Sequence, residues 1–96
     1  MNQNIHLYAS TTGTVYGNAS FWSLTSENTQ TISSQRHIDL EIIEDAQQGF
    51  FLLISPKGLY TADMQCASLA EAKQYAQQWL QIADNDWHNA LLAAAS

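Results

Sequence analysis

Basic side chains are scarce in this sequence. Arg36, Lys57 and Lys73 stand against nine Asp and Glu, and the formal net charge is −6. Direct nucleic-acid binding relies on several Lys or Arg to neutralise phosphates. Three scattered cations do not supply that, so no direct nucleic-acid partner is expected. The same sign argument disfavours anionic membrane surfaces. A protein partner with a basic surface stays open. The bland alternative is solubility, because a net charge of this size keeps a small domain dispersed.

Cysteine is limited to Cys66, which excludes an intrachain disulfide. No apolar run approaches the roughly 20 residues needed to span a bilayer as a helix. The opening MNQNIHLYAS has neither the basic leader nor the apolar run of a signal peptide. A cytoplasmic protein is expected.

Chemistry-bearing motifs are missing too. There is no G-x-S-x-G, no P-loop and no dinucleotide fingerprint. His6, His37 and His88 are not at ligand spacing from one another or from Cys66, so neither a metal nor another cofactor is expected. Cys66 lies close to a helix start, where a thiolate can be stabilised. It also continues the parity of Tyr60, Ala62 and Met64, which suits a small core residue. A Cys/His enzyme is the weakest of the readings considered, and a non-enzymatic protein is expected.

What is present is a globular composition, 46% hydrophobic over 96 residues, which fits one domain across 1–96. The clearest element is SLAEAKQYAQQWLQIA at 68–83. Ser68 followed by Glu71 is a capping-box signature. Leu69, Ala72, Ala76, Trp79, Leu80 and Ala83 then recur at the spacing of one helical face. Beyond it, Asp84, Asn85 and Asp86 are poor helix formers and good N-caps. Yet Trp87, Ala90, Leu91 and Ala94 keep the same apolar phase. One continuous helix of about 27 residues would be roughly 40 Å long and would overhang strands of about 23 Å. A break near 84–86 and a short second helix is the favoured reading.

Everything before the helix reads as sheet. Residues 4–10 alternate, with Ile5, Leu7 and Ala9 on one side. Ser10 to Gly13 reads as a turn. Residues 14–24 continue extended, with a bulge or bend at Gly17-Asn18. Residues 25–35 read as a loop or a weak edge strand around 29–33. Residues 36–43 alternate cleanly, with Ile38, Leu40 and Ile42 inward. Residues 50–55, FFLLIS, are apolar on both parities, as in a central strand. Ser55-Pro56-Lys57-Gly58 is a turn, and 59–66 is the return strand. The expected fold is α+β: an antiparallel meander of four to five strands, with a C-terminal helix packed on one face and possibly broken in two near 84–86.

Two sets of residues are candidates for a partner site. Asp39 and Glu41 alternate outward, about 6.6 Å apart along their strand, with Glu44 and Asp45 following at its end. Rows of carboxylates at such spacing can imitate a nucleic-acid backbone and occupy a basic groove. The second set is apolar groups left over after core assignment: Tyr75 and Ile82 on the helix, and Trp22 or Phe21 before it. Aromatic side chains are enriched at interface hot spots. A short acidic β-meander with one helix has the general look of small phage and mobile-element proteins. The concrete expectation is therefore an inhibitor that blocks the basic nucleic-acid-binding surface of a partner, of the anti-CRISPR or anti-restriction kind. The alternative is a self-assembling structural or accessory subunit, possibly a homodimer, using its aromatic and Ala-rich helical surfaces.

Overall fold

The computed structural model describes residues 5–18, 21–24 and 32–89. In chain order they form β1 (His6–Gly17), β2 (Trp22–Ser23), β3 (Ser33–Asp45), β4 (Gly49–Pro56), β5 (Ala62–Cys66), α1 (Leu69–Leu80) and β6 (His88–Asn89). The strands make one antiparallel sheet in the order β2-β1-β3-β4-β5, with β6 also paired to β1. This is the α+β architecture expected from the sequence: a meander sheet with a C-terminal helix against one face.

Alternation decides which side chains meet the helix. The register aligns Ala9, Leu40 and Ile54 across β1, β3 and β4, and Leu7, Ile42, Leu52 and Met64 across four strands. Ile38, Leu40, Ile42 and Leu52 are fully buried, as are Ala72 and Ala76 of α1. Each large aliphatic side chain buried this way contributes about 1.5–3 kcal/mol. A register slip of one residue would turn the whole set outward, so the pattern fixes the pairing.

The turn expected at Ser10–Gly13 is absent, because β1 runs straight through it. Gly13 has no positive φ there; it allows a close approach. A Cβ would stand 3.3 Å from the Ile38 side chain and 3.4 Å from that of Leu80, the last residue of α1. The chain turns instead at Gly17, whose φ is 113°. A Cβ at that position would fall 2.2 Å from the Phe21 carbonyl oxygen. Asn18 and Phe21 then close the connection to β2 through reciprocal backbone bonds of 2.8 and 3.2 Å. Of the expected edge strand at 29–33, residues 29–31 lie outside the described residues, and Ser33 begins β3. The turn between β4 and β5 sits one residue later than expected. Leu59 N–H donates to the Pro56 carbonyl at 3.0 Å, and Gly58, at φ 85°, holds the position that favours glycine in a type II turn.

Helix α1 starts as the sequence indicates. Ser68 Oγ accepts from Glu71 N–H at 3.1 Å. The Glu71 carboxylate returns to Ala67 N–H at 3.0 Å, one residue outside the box position. The helix stops at Leu80, earlier than 83, because Gln81 takes the left-handed conformation at φ 61°. Its N–H donates to Gln77 O at 2.9 Å, and Ile82 N–H reaches Ala76 O at 3.4 Å. The 5→1 bond from Gln81 N–H to Gln77 O marks an αL-type end, after which the next residue turns inward as an apolar contact. Ile82 does so and is 4% exposed. The break is therefore present, but the expected second helix is not found among the described residues. Asp84–Asp86 is a single 3-10 turn and β6 follows it. Residues 90–96 lie outside the described residues.

The sheet is curled into a half-barrel, so its two ends come near each other. Trp22 belongs to β2 at one end of the strand order, and Tyr60 lies two residues before β5 at the other. Trp22 Nε1 donates to the Tyr60 carbonyl at 2.9 Å.

Candidate functional site

The helix covers one face of the sheet. On the other face the register brings together Tyr8, Glu41, Leu53 and Asp63 in one cross-strand row. His6, Ile43, Phe51 and Gln65 form the next row. Ile43, Phe51 and Leu53 are half-buried and stand apart from the core cluster. Among the described residues no element packs across them. The result is an apolar strip on β3 and β4 with Glu41 and Asp63 beside it and Asp39 one row away.

Asp39 and Glu41 point outward as expected, and each is held by neighbours. Asp39 Oδ1 accepts from Tyr8 OH at 3.2 Å and lies 2.9 Å from His37 Nε2. Glu41 Oε1 lies 3.0 Å from His6 Nε2. These bonds fix the carboxylates on the strand face while leaving them 47% and 40% exposed. A fixed, half-exposed carboxylate loses less side-chain freedom on binding than a free one. The three Lys and Arg lie elsewhere. Arg36 donates to the Lys57 carbonyl at 2.7 Å, Lys57 is in the β4–β5 turn, and Lys73 pairs with Asp84 at 2.8 Å.

Glu44 and Asp45 do not extend the acidic face. Glu44 Oε1 accepts from Ile5 N–H at 2.9 Å and holds the residue before β1. Asp45 Oδ1 accepts from Gln47 and Gln48 N–H at 2.8 and 3.0 Å, closing the β3–β4 turn. Both bind backbone N–H groups, Glu44 across the sheet and Asp45 within its own turn, a use that a sequence pattern of acidic residues does not reveal.

The expected surplus of apolar groups is also corrected. Trp22 is 7% exposed and Ile82 4%, so both are core residues. A helix continued past Ile82 puts that residue outside the core stripe; the helix ends at Leu80, and Ile82 turns inward. Tyr75 stacks on Trp79 with ring centroids 5.0 Å apart, and both pack against the core. Phe21, at 72%, is the exposed member of its pair. Ile32 and Tyr60 are exposed as well, and on the outer face Ile43, Phe51 and Leu53 stand outside the core, with Asp63 as an extra carboxylate beside them. Their signal was the double parity of FFLLIS, which fits a central strand and equally a sheet with a second apolar face.

Cys66 is a core residue, 1% exposed. Burial pushes its thiol up from the ordinary value of 9.0; the nearby Glu71 charge adds to this, and a hydrogen bond from the Leu52 backbone opposes it. That is the opposite of the activation a nucleophilic thiolate requires. Among the described residues no group of three His, Cys, Asp or Glu is placed to hold a metal ion. No described helix is long and apolar enough to cross a membrane.

The geometry defines an α+β half-barrel with one helix-covered face and one acidic, partly apolar face. Comparison with protein-family models, with curated proteins and with solved structures returned no match for this chain.

Proposed function

We propose that this chain is a non-enzymatic, acidic protein-binding module that sets the outer face of its sheet against a basic surface of a partner protein. The observation that carries the reading is the strip Ile43, Phe51 and Leu53 with Asp39, Glu41 and Asp63 around it, on a face without Lys or Arg. An apolar centre with a polar rim is the usual anatomy of an interface. Carboxylates at the rim steer association with a cationic partner. In its concrete form the partner is nucleic-acid-handling machinery, and the module is an inhibitor of the anti-CRISPR or anti-restriction kind that fills the groove meant for a phosphate backbone.

A second reading, self-association through the same strip, is favoured by its apolar centre. It is opposed by the repulsion between two copies of the same acidic rim. The test is an affinity capture from a lysate with wild type, with Asp39→Asn/Glu41→Gln and with Phe51→Ser, at low and high salt. A partner held by wild type, weakened by both variants and by salt, and displaced by added nucleic acid supports the proposal. Retention indifferent to both variants, or concentration-dependent dimerisation insensitive to salt, overturns it.

A further inference from the structure

We infer that the gap between β2 and β5 is a binding site for a small, uncharged, two-ring aromatic molecule. A cavity of about 260 Å³ lies there. Trp22 and Leu24 wall it from one edge of the curled sheet and Met64 from the other; Leu52 and Ile54 form its floor, and Trp79 of α1 stands over it. Among the described lining residues Asp63 alone is shared with the outer acidic face.

Protein interiors are close-packed, and apolar side chains normally fill such a space. Here the two largest walls are pinned. Trp22 is held by its hydrogen bond to the Tyr60 carbonyl at 2.9 Å. Trp79 is held by stacking on Tyr75 at 5.0 Å. Neither indole can swing in without breaking its own contact, so the cavity is preformed. The lining then dictates the occupant. Its side chains are mostly apolar, and the Trp22 N–H is already used, which leaves shape and burial as the source of affinity. A cavity of about 150 Å³ accepts benzene, so this one accommodates two fused rings. The lining includes Asp63 and no Lys, Arg or His, and the net charge is −6; both act against anions. Indole walls and the Met64 thioether suit an aromatic guest.

The experiment is a titration of the full wild-type chain with 2-naphthol, followed by NMR. Saturable shifts are expected at the Trp22 and Trp79 indole N–H and at the Met64 methyl. Naphthalene-2-sulfonate, with the same rings and a negative charge, should bind at least about tenfold more weakly. Ala62→Leu places added bulk in the lining and should weaken 2-naphthol by at least about tenfold. The wild-type mapping decides the matter even if that variant misfolds. The inference is overturned if no saturable shifts arise up to the solubility limit, or if the sulfonate binds equally well. It is also overturned if folded Ala62→Leu binds like wild type. Shifts at the same residues that follow protein concentration alone would assign the gap to a second copy of the chain, which overturns it as well.

Discussion

Trp22 Nε1 and the Tyr60 carbonyl, 38 residues apart in sequence, are joined at 2.9 Å, and the two rings lie 5.6 Å apart at 44°. This pair links the two ends of the strand order and keeps the half-barrel curled. Trp22→Phe retains an aromatic ring and removes the bond, leaving a part-buried carbonyl without its donor. It should cost about 1–2 kcal/mol in urea unfolding. Trp22→Ala, which also opens a cavity, should cost about 3–5 kcal/mol. Equal stability of Trp22→Phe and wild type would mean the link contributes nothing to closure.

Gln81 ends α1 in the left-handed region, at φ 61°. A side chain with a Cβ is disfavoured there by about 1 kcal/mol relative to glycine. Gln81→Gly should therefore hold or raise stability in urea unfolding, by up to about 0.5 kcal/mol once the added freedom of the unfolded chain is subtracted. Destabilisation would show that Gln81 is not the helix terminus. At the other end, Ser68→Ala should cost about 1 kcal/mol through loss of the bond to Glu71 N–H.

Local chemistry was legible and long-range chemistry was not. The start of α1 was readable because Ser68 and Glu71 act within one turn. The inward set Ile38, Leu40 and Ile42 was readable because alternation is a local property. Gly13 reads as a turn because its close neighbours, Ile38 and Leu80, come from distant parts of the chain. Ile82 looked exposed because helical phase was extended past a residue whose backbone leaves the helix. For the site, the outward Asp39 and Glu41 followed from parity alone. The hydrogen bonds that engage Glu44 and Asp45 with the backbone depend on the pairing of β1 with β3 and on turn geometry, which composition does not carry. Phe51 and Leu53 were ambiguous for a physical reason: a second apolar face and a fully buried strand have the same pattern.

Cys66 supplies a pH-dependent term of known sign. Its thiol is raised above the ordinary 9.0, chiefly by burial. The folded state thus holds the proton more tightly than the unfolded state. The contribution is present below pH 9.0 and is lost as pH rises through the raised native value. Urea midpoints of wild type and Cys66→Ala, taken from neutral to alkaline pH, should converge as pH rises. Every other ionisable group is common to both proteins and cancels in the difference. A gap that stays constant or widens would contradict the burial of this thiol. Alkylation of the native thiol at neutral pH should also be slow compared with the unfolded chain.

The outer face makes the last prediction. Asp39 and Glu41 are each about half exposed, and their partners are side chains on the same face. Asp39→Asn with Glu41→Gln keeps an acceptor at each position, so stability should stay within about 0.5 kcal/mol of wild type. Binding to a basic partner should weaken mainly through slower association, since rim charges act by steering. Phe51→Ser should act differently, removing apolar contact at the centre of the strip and speeding dissociation. Asp84→Asn with Asp86→Asn removes the same formal charge at a distant place. Asp84 pairs with Lys73 and Asp86 accepts from Ala83 N–H at 2.8 Å, so the fold of that control must be verified first. Slower association in the strand variant alone supports contact at the sheet face. Equal slowing in both points to general attraction by net charge. If both variants associate at the wild-type rate in low salt while Phe51→Ser still dissociates faster, the strip alone makes the contact and the carboxylates only keep the domain soluble.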